Sequence, residues 1–367
     1  MIVQSLRLSE YRNFESLTLN FSPGTNIFYG ENAQGKTNIL EALYVTATTK
    51  SHRGVHDSDL IRFGYQEGHI QTVLIKDGLD YKIDIHLRQG KTKGIAINGK
   101  KVKKASSFVG LLHVVFFSPE DLSIVKSGPS MRRKFLDTEL CQLDESYLYN
   151  LTQYNKTLEQ RNHLLKQIID EPSLSSTMDI WNDQLVLYGE KVIHRRKEFI
   201  EEMNQIIGTE QKKLSGGKEE VILQYLPDVE ENQFETKLDT WKEREKYIGS
   251  TAIGPQKDDF SFLCNGIDMR KFGSQGQQRT CALSLKLSEL KLVQSAIGDH
   301  PVLMMDDVLS ELDTRRQNDL LASLGGIQTM ITCTGLDEFV SGRLAIDRLF
   351  HVENGTVKEQ SAKIGLM

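Results

Sequence analysis

Gly30-Glu31-Asn32-Ala33-Gln34-Gly35-Lys36-Thr37 meets the phosphate-loop pattern G-x-x-x-x-G-K-[ST] at every specified position. Its flanks decide how it is read. In front, Thr25-Asn26-Ile27-Phe28-Tyr29 is a short apolar run that predicts a buried strand; behind, Asn38-Ile39-Leu40-Glu41-Ala42-Leu43 continues at helical spacing. Between a strand and a helix, the glycines let successive N–H groups and the helix N-terminus face phosphate oxygens. Lys36 then supplies a cation for the β and γ oxygens, and Thr37 offers its hydroxyl to Mg²⁺. A glycine-bearing turn with a solvated lysine would explain the loop but not its flanks. The stretch therefore predicts a nucleoside triphosphate site on an α/β fold.

The 367 residues are enough for two domains, or for one large domain with an insertion. A hydrophobic content of 39% and a charged content of 26% fit a globular protein, and no apolar run approaches the ~20 residues of a membrane span. Cys141, Cys264, Cys281 and Cys333 lack C-x-x-C spacing, so a metal or disulfide framework is not expected and a reducing cytoplasm is. Net charge is −5, which speaks against a uniformly cationic surface. Yet Arg88, Lys91, Lys93, Lys100, Lys101, Lys103 and Lys104 lie close together with no acidic residue among them. That stripe suits phosphate contacts on DNA, and equally a solvated hairpin around Asn98-Gly99.

The first ~130 residues mix strand and helix signals and end in the apolar run Leu111–Phe117. Two helical stripes follow: Leu151, Tyr154, Leu158, Leu165 and Ile168, then Trp181, Leu185, Tyr188, Val192, Phe199, Met203 and Ile206. Glu171-Pro172-Ser173 between them predicts an antiparallel helical hairpin. After Ser215-Gly216-Gly217, strand signals return in Val221–Tyr225. The expected organisation is residues 1–130 and 218–367 forming one head, with residues 131–217 as an inserted arm.

Pro301-Val302-Leu303-Met304-Met305-Asp306-Asp307 reads as a buried strand ending in two carboxylates. Beside a phosphate loop, Asp306 is placed to serve Mg²⁺ and Asp307 to orient or deprotonate the attacking water. Ser274-Gln275-Gly276-Gln277 opens a long helix, and Ser310-Glu311-Leu312-Asp313 follows the acidic pair. This order is similar to the signature, Walker B and D-loop series of ABC-type ATPases. That similarity implies an ABC-type P-loop head in which Ser274, Gly276 and Gln277 meet nucleotide held by the opposite subunit.

Further segments, Leu8–Phe14, Ser118-Pro119-Glu120-Asp121-Leu122, Gly128–Asp137 and Gly254-Pro255-Gln256-Lys257-Asp258-Asp259, span nearly the whole chain. Together with the motifs above they resemble the RecF family of bacterial recombination mediators. The resemblance implies a weak DNA-dependent ATPase using ATP and Mg²⁺. Its nucleotide would be held by Arg12, Asn13, the loop Gly30 to Thr37, and Asn38, and its catalytic groups would be Lys36, Asp307 and Ser274. It further implies an ATP-dependent head-to-tail homodimer on gapped or junction DNA, both double- and single-stranded, acting with RecR, RecO and recombinase away from membranes. Arg132 and Arg133 join the lysine stripe as DNA candidates, with Arg195 and Arg196 after them. Two departures stand out: Gln256-Lys257 replaces the usual His-Arg, and Ile331–Gly335 lacks a switch histidine. The alternatives are the ATPase head of a chromosome-repair nuclease, a transporter ATPase, and a nucleotide-bound scaffold that does not hydrolyse.

Overall fold

A computed structural model describes residues 1–103, 108–322, 325–336 and 345–360. The chain opens with β1 (Ile2–Tyr11), β2 (Phe14–Asn20), β3 (Thr25–Tyr29), α1 (Lys36–Thr48), β4 (Glu67–Lys76), β5 (Leu79–Arg88), β6 (Gly94–Ile97), β7 (Lys100–Lys101) and β8 (Val114–Phe117). A helical stretch follows: α2 (Leu122–Lys126), α3 (Pro129–Leu143), α4 (Glu145–Asp170) and α5 (Met178–Ser215). Then come β9 (Val221–Leu226), α6 (Phe234–Ile248), β10 (Asp259–Cys264), β11 (Ile267–Asp268), α7 (Met269–Phe272) and α8 (Gln275–Ile297). The chain closes with β12 (Val302–Asp306), α9 (Thr314–Ala322), β13 (Thr329–Cys333), β14 (Arg348–Glu353) and β15 (Thr356–Gln360).

Two compact units result: Met1–Asp121 with Glu289–Met367, and Leu122–Ser288. The second unit is larger than the 131–217 arm read from the sequence. The small sheet β11-β10-β9 and most of α8 fold with the helices instead of rejoining the N-terminal part.

In the first unit, β2-β1-β4-β5-β6-β7 form an antiparallel sheet. Strict alternation sets its buried face: Gly68, Ile70, Thr72 and Leu74 of β4 point inward between partly exposed neighbours. The Asn98-Gly99 turn between β6 and β7 has positive φ at both residues (49° and 77°), as a two-residue hairpin requires. The second sheet, β15-β14-β3-β13-β12-β8, is parallel except at β15. Helix α1 contacts strands of both sheets, and every residue from Ile39 to Ala47 is buried, so it shows no polar face.

In the second unit, α4 and α5 pack as the antiparallel hairpin that their stripes predict. The α5 stripe passes through Ile207, with Ile206 only half-buried, and takes in Arg196. At the free edge of β9, the Asn204 side-chain amide donates to the Leu223 carbonyl and accepts its N–H, both at 2.8 Å.

Candidate functional site

The parallel register carries the ends of β3, β12 and β13 to one place. Asp306 lies beside Thr332, and Thr332 beside Phe28, two residues before the phosphate loop. The carboxyl ends of adjacent parallel strands are where open α/β sheets bind ligands. Two loop positions demand glycine: Gly30 (φ 148°), where a Cβ would sit 2.3 Å from the Val352 carbonyl oxygen, and Gly35 (φ 113°), where it would sit 2.5 Å from the Asn13 amide nitrogen. Lys36 Nζ donates to the carbonyls of Gly30 and Glu31 at 2.5 and 2.8 Å, which draws the loop into a ring. Burial lowers the Lys36 pKa below its ordinary value, against the pull of Asp307, Cys333 and Asp306.

Opposite the lysine stand the acids. The Thr37 hydroxyl donates to Asp306 Oδ1 at 2.8 Å, and the Thr332 hydroxyl donates to the same oxygen at 2.7 Å. Asp307 has φ 52°, an uncommon conformation for a residue with a side chain; its N–H reaches Thr332 Oγ1 at 3.0 Å. Burial raises the Asp307 carboxyl above its ordinary pKa, opposed by Ser310 and Lys36 and reinforced by Asp306. A cleft of about 420 Å³ opens between these groups.

Asn32, Ala33, Gly35, Lys36, Thr37, Asn38, Asp306 and Asp307 of the expected set line this cleft, together with Arg53, Pro119 and Thr332, which sequence reasoning did not assign to the site. Gly30, Glu31 and Gln34 complete the loop. The Gln34 carbonyl accepts from Asn13 Nδ2 at 2.8 Å, and its side-chain oxygen accepts from the Asn354 N–H at 2.6 Å. Arg12 and Asn13, expected to touch nucleotide, are not among the lining residues. The Arg12 guanidinium grips Glu41 with Nε and Nη2 (2.8 and 2.7 Å) and donates through Nη1 to the Asp59 carbonyl.

Within the second unit, Ser274 and Gln277 cap α8 reciprocally: Gln277 N donates to Ser274 Oγ at 3.2 Å and Ser274 N to Gln277 Oε1 at 3.0 Å. Ser274 and Gly276 are exposed. Arg132 is corrected as a DNA candidate. It is 2% exposed, its Nε and Nη2 meet the Asp259 carboxylate, and its Nη1 donates to the carbonyls of Ile124 and Ser127. Arg196 is withdrawn likewise, being fully enclosed between Asp137 and Asp258. Arg195 pairs with Asp144 and Glu202. Arg133 is half-buried and donates to the Asp258 carbonyl. Lys100, Lys101 and Lys103 stay exposed on the β6–β7 hairpin and beyond it, while Lys104 lies outside the described residues.

A phosphate loop after a central parallel strand, with an acid pair at the end of its neighbour but one, defines an ABC-type P-loop ATPase head. Comparison agrees: a family model described as RecF/RecN/SMC N terminal domain matches residues 2–358. The DNA replication and repair protein RecF of Agathobacter rectalis is 54% identical over 358 residues, covering 98% of this chain and 99% of that protein. A solved structure of the recombination mediator protein RecF with ATP, from the RecFOR pathway, superposes with a TM-score of 0.92 at 34% identity over 98% of this chain and 97% of that one. The Smc head domain of Pyrococcus furiosus, at 15% identity and a TM-score of 0.56, shares the fold. The chain belongs to the RecF family of recombination and repair ATPases.

Proposed function

We propose that this protein binds and slowly hydrolyses ATP as a head-to-tail dimer on DNA, where it helps RecR and RecO bring recombinase to single strands at gaps. The observation that supports ATP chemistry is the single cleft holding Lys36, Thr37, Asp306, Asp307 and Thr332. Lys36 balances the β and γ charge. The hydroxyl of Thr37 and the carboxylate of Asp306 are hard oxygen donors already 2.8 Å apart, a donor set that fits Mg²⁺, which would supply charge neutralisation on the phosphates. Asp307 orients a water and accepts its proton as oxygen joins the γ-phosphorus and ADP departs. The raised pKa of Asp307 suits that exchange.

Ser274, Gly276 and Gln277 bring an exposed helix N-terminus to nucleotide held by a second copy. The lysines of the β6–β7 hairpin contact DNA phosphates. This reading also rests on the RecF relatives. Its test is Ser274→Arg. Monomer ATP binding should survive, while ATP-induced dimerisation and DNA-stimulated turnover fail together. Wild-type specific activity should rise with protein concentration until dimers saturate. Turnover independent of concentration, with a fully active Ser274→Arg variant, would refute the shared site.

A further inference from the structure

Helix α1 buries a carboxylate. Glu41 has no exposed surface, and a buried carboxylate is tolerated only when charged partners and hydrogen bonds replace its water. Arg12 answers the charge with a two-pronged contact. Glu41 also accepts a hydrogen bond from the Ser51 hydroxyl at 2.5 Å, a residue in the segment that follows α1. Tyr11 and Arg12 tie Glu41 to the end of β1, and Ser51 ties it to the segment after α1.

Ser51 is the pivot of a tight turn. Its Oγ accepts the Arg53 N–H at 3.1 Å, its carbonyl accepts the Gly54 N–H at 3.0 Å, and Gly54 takes the left-handed φ of 70° that the turn requires. The other end of Arg53 is also held: Nη1 donates to Asn38 Oδ1 at 3.3 Å, and Asn38 is fixed through its Nδ2 to Asn13 at 2.9 Å. Asn38 and Glu41 stand three apart on one face of α1. One helix face therefore holds Arg53 at its backbone, through Ser51, and at its guanidinium. Among the described residues no carboxylate forms an ion pair with Arg53, and it lines the cleft that contains Lys36.

We propose that Glu41 and Ser51 are positioning residues that fix Arg53 as a second cation for nucleotide phosphate in the cleft. This rests on the ATP reading above. Glu41 never touches nucleotide; it acts through the Ser51 turn. An arginine so held loses little freedom on meeting a phosphate, so its charge-assisted bonds translate into affinity.

The experiment is a titration of the full chain with a fluorescent ATP analogue and Mg²⁺, with thermal unfolding measured in parallel. Arg53→Ala should weaken binding by about tenfold or more, the scale of a lost charge-assisted hydrogen bond. Ser51→Ala should weaken it by about three- to tenfold, since the turn loosens while the guanidinium remains; Ser51→Thr, which keeps the hydroxyl, should restore it. The double variant Ser51→Ala with Arg53→Ala should bind no worse than Arg53→Ala alone, because both losses run through one group. Glu41→Gln should behave like Ser51→Ala, which remains informative should the helix variant not fold. Losses that multiply in the double variant, or a Ser51→Ala protein that melts lower yet binds normally, would overturn the positioning role and leave the ATP reading standing. A wild type that binds no nucleotide would overturn both.

Discussion

Replacing Arg196 with methionine probes how the second unit is held. The guanidinium, 2% exposed, donates from Nη1 to Asp258 Oδ2 at 2.8 Å and to the Pro255 carbonyl at 2.7 Å, and from Nη2 to Asp137 at 2.8 Å. Its removal leaves Asp258, which has no exposed surface, with the Tyr225 hydroxyl and the Asp228 N–H as its donors among the described residues. An uncompensated buried carboxylate costs about 3–5 kcal/mol, or about 6–20 °C in melting temperature for a unit of this size. Both tryptophans, Trp181 and Trp241, lie in this unit, so urea unfolding followed by tryptophan fluorescence reports on it directly.

The sign of the pH dependence follows from Asp258. Burial already holds its carboxyl above the ordinary value, with Arg196 opposing, and the variant removes that opposition. A carboxyl whose folded pKa exceeds the unfolded one contributes stability that is complete below the unfolded value and lost as pH rises through the folded one. The Arg196→Met deficit should therefore be smaller at about pH 5 than at about pH 8. Adding Asp258→Asn should recover most of it. A deficit under about 1 kcal/mol, or one equal at both pH values, would refute the account.

Lys36→Met should abolish ATP binding measured by equilibrium dialysis while leaving the melting temperature near wild type, since its loop closes a cleft rather than a core. Asp307→Asn should keep ATP bound and lower turnover by about 10²–10⁴-fold. Because burial raises the Asp307 pKa, the wild-type rate should fall on acidification at a higher pH than an unperturbed aspartate would give, and the variant should lose that limb. Changing Lys100, Lys101 and Lys103 to Glu should weaken DNA binding and flatten the slope of log affinity against log salt; an unchanged slope would return the hairpin to a solvated role.

The phosphate loop, β3 and β12 were legible because apolar runs and a glycine pattern are local signals. The partners of charged residues were not. Arg132 and Arg196 read as surface cations because their carboxylates, Asp259 and Asp258, belong to strand β10 and its entrance, far along the chain. Arg196 shares a stripe with Val192, Phe199 and Met203, and helical period alone gives no reason to bury it. Arg53 stayed hidden for a similar reason: its place depends on a turn folding back along α1. Ser274 and Gln277 were legible as a helix start, and their reciprocal cap is the ordinary chemistry of such a start.

Strand β3 has β13 on one side and β14 on the other, strands that lie about 300 residues further along the sequence. On the ribosome it therefore emerges and waits, its Ile27 and Phe28 without those two neighbours, until about 300 further residues have been made. At about 5–20 residues per second, that wait is on the order of 15–60 s. The antiparallel strands β1, β2, β4 and β5 have near neighbours in sequence and can assemble meanwhile. The phosphate loop hangs from the strand that cannot. A chain made only as far as β12 consequently lacks Thr332 and the parallel neighbours of β3 that complete the nucleotide cleft.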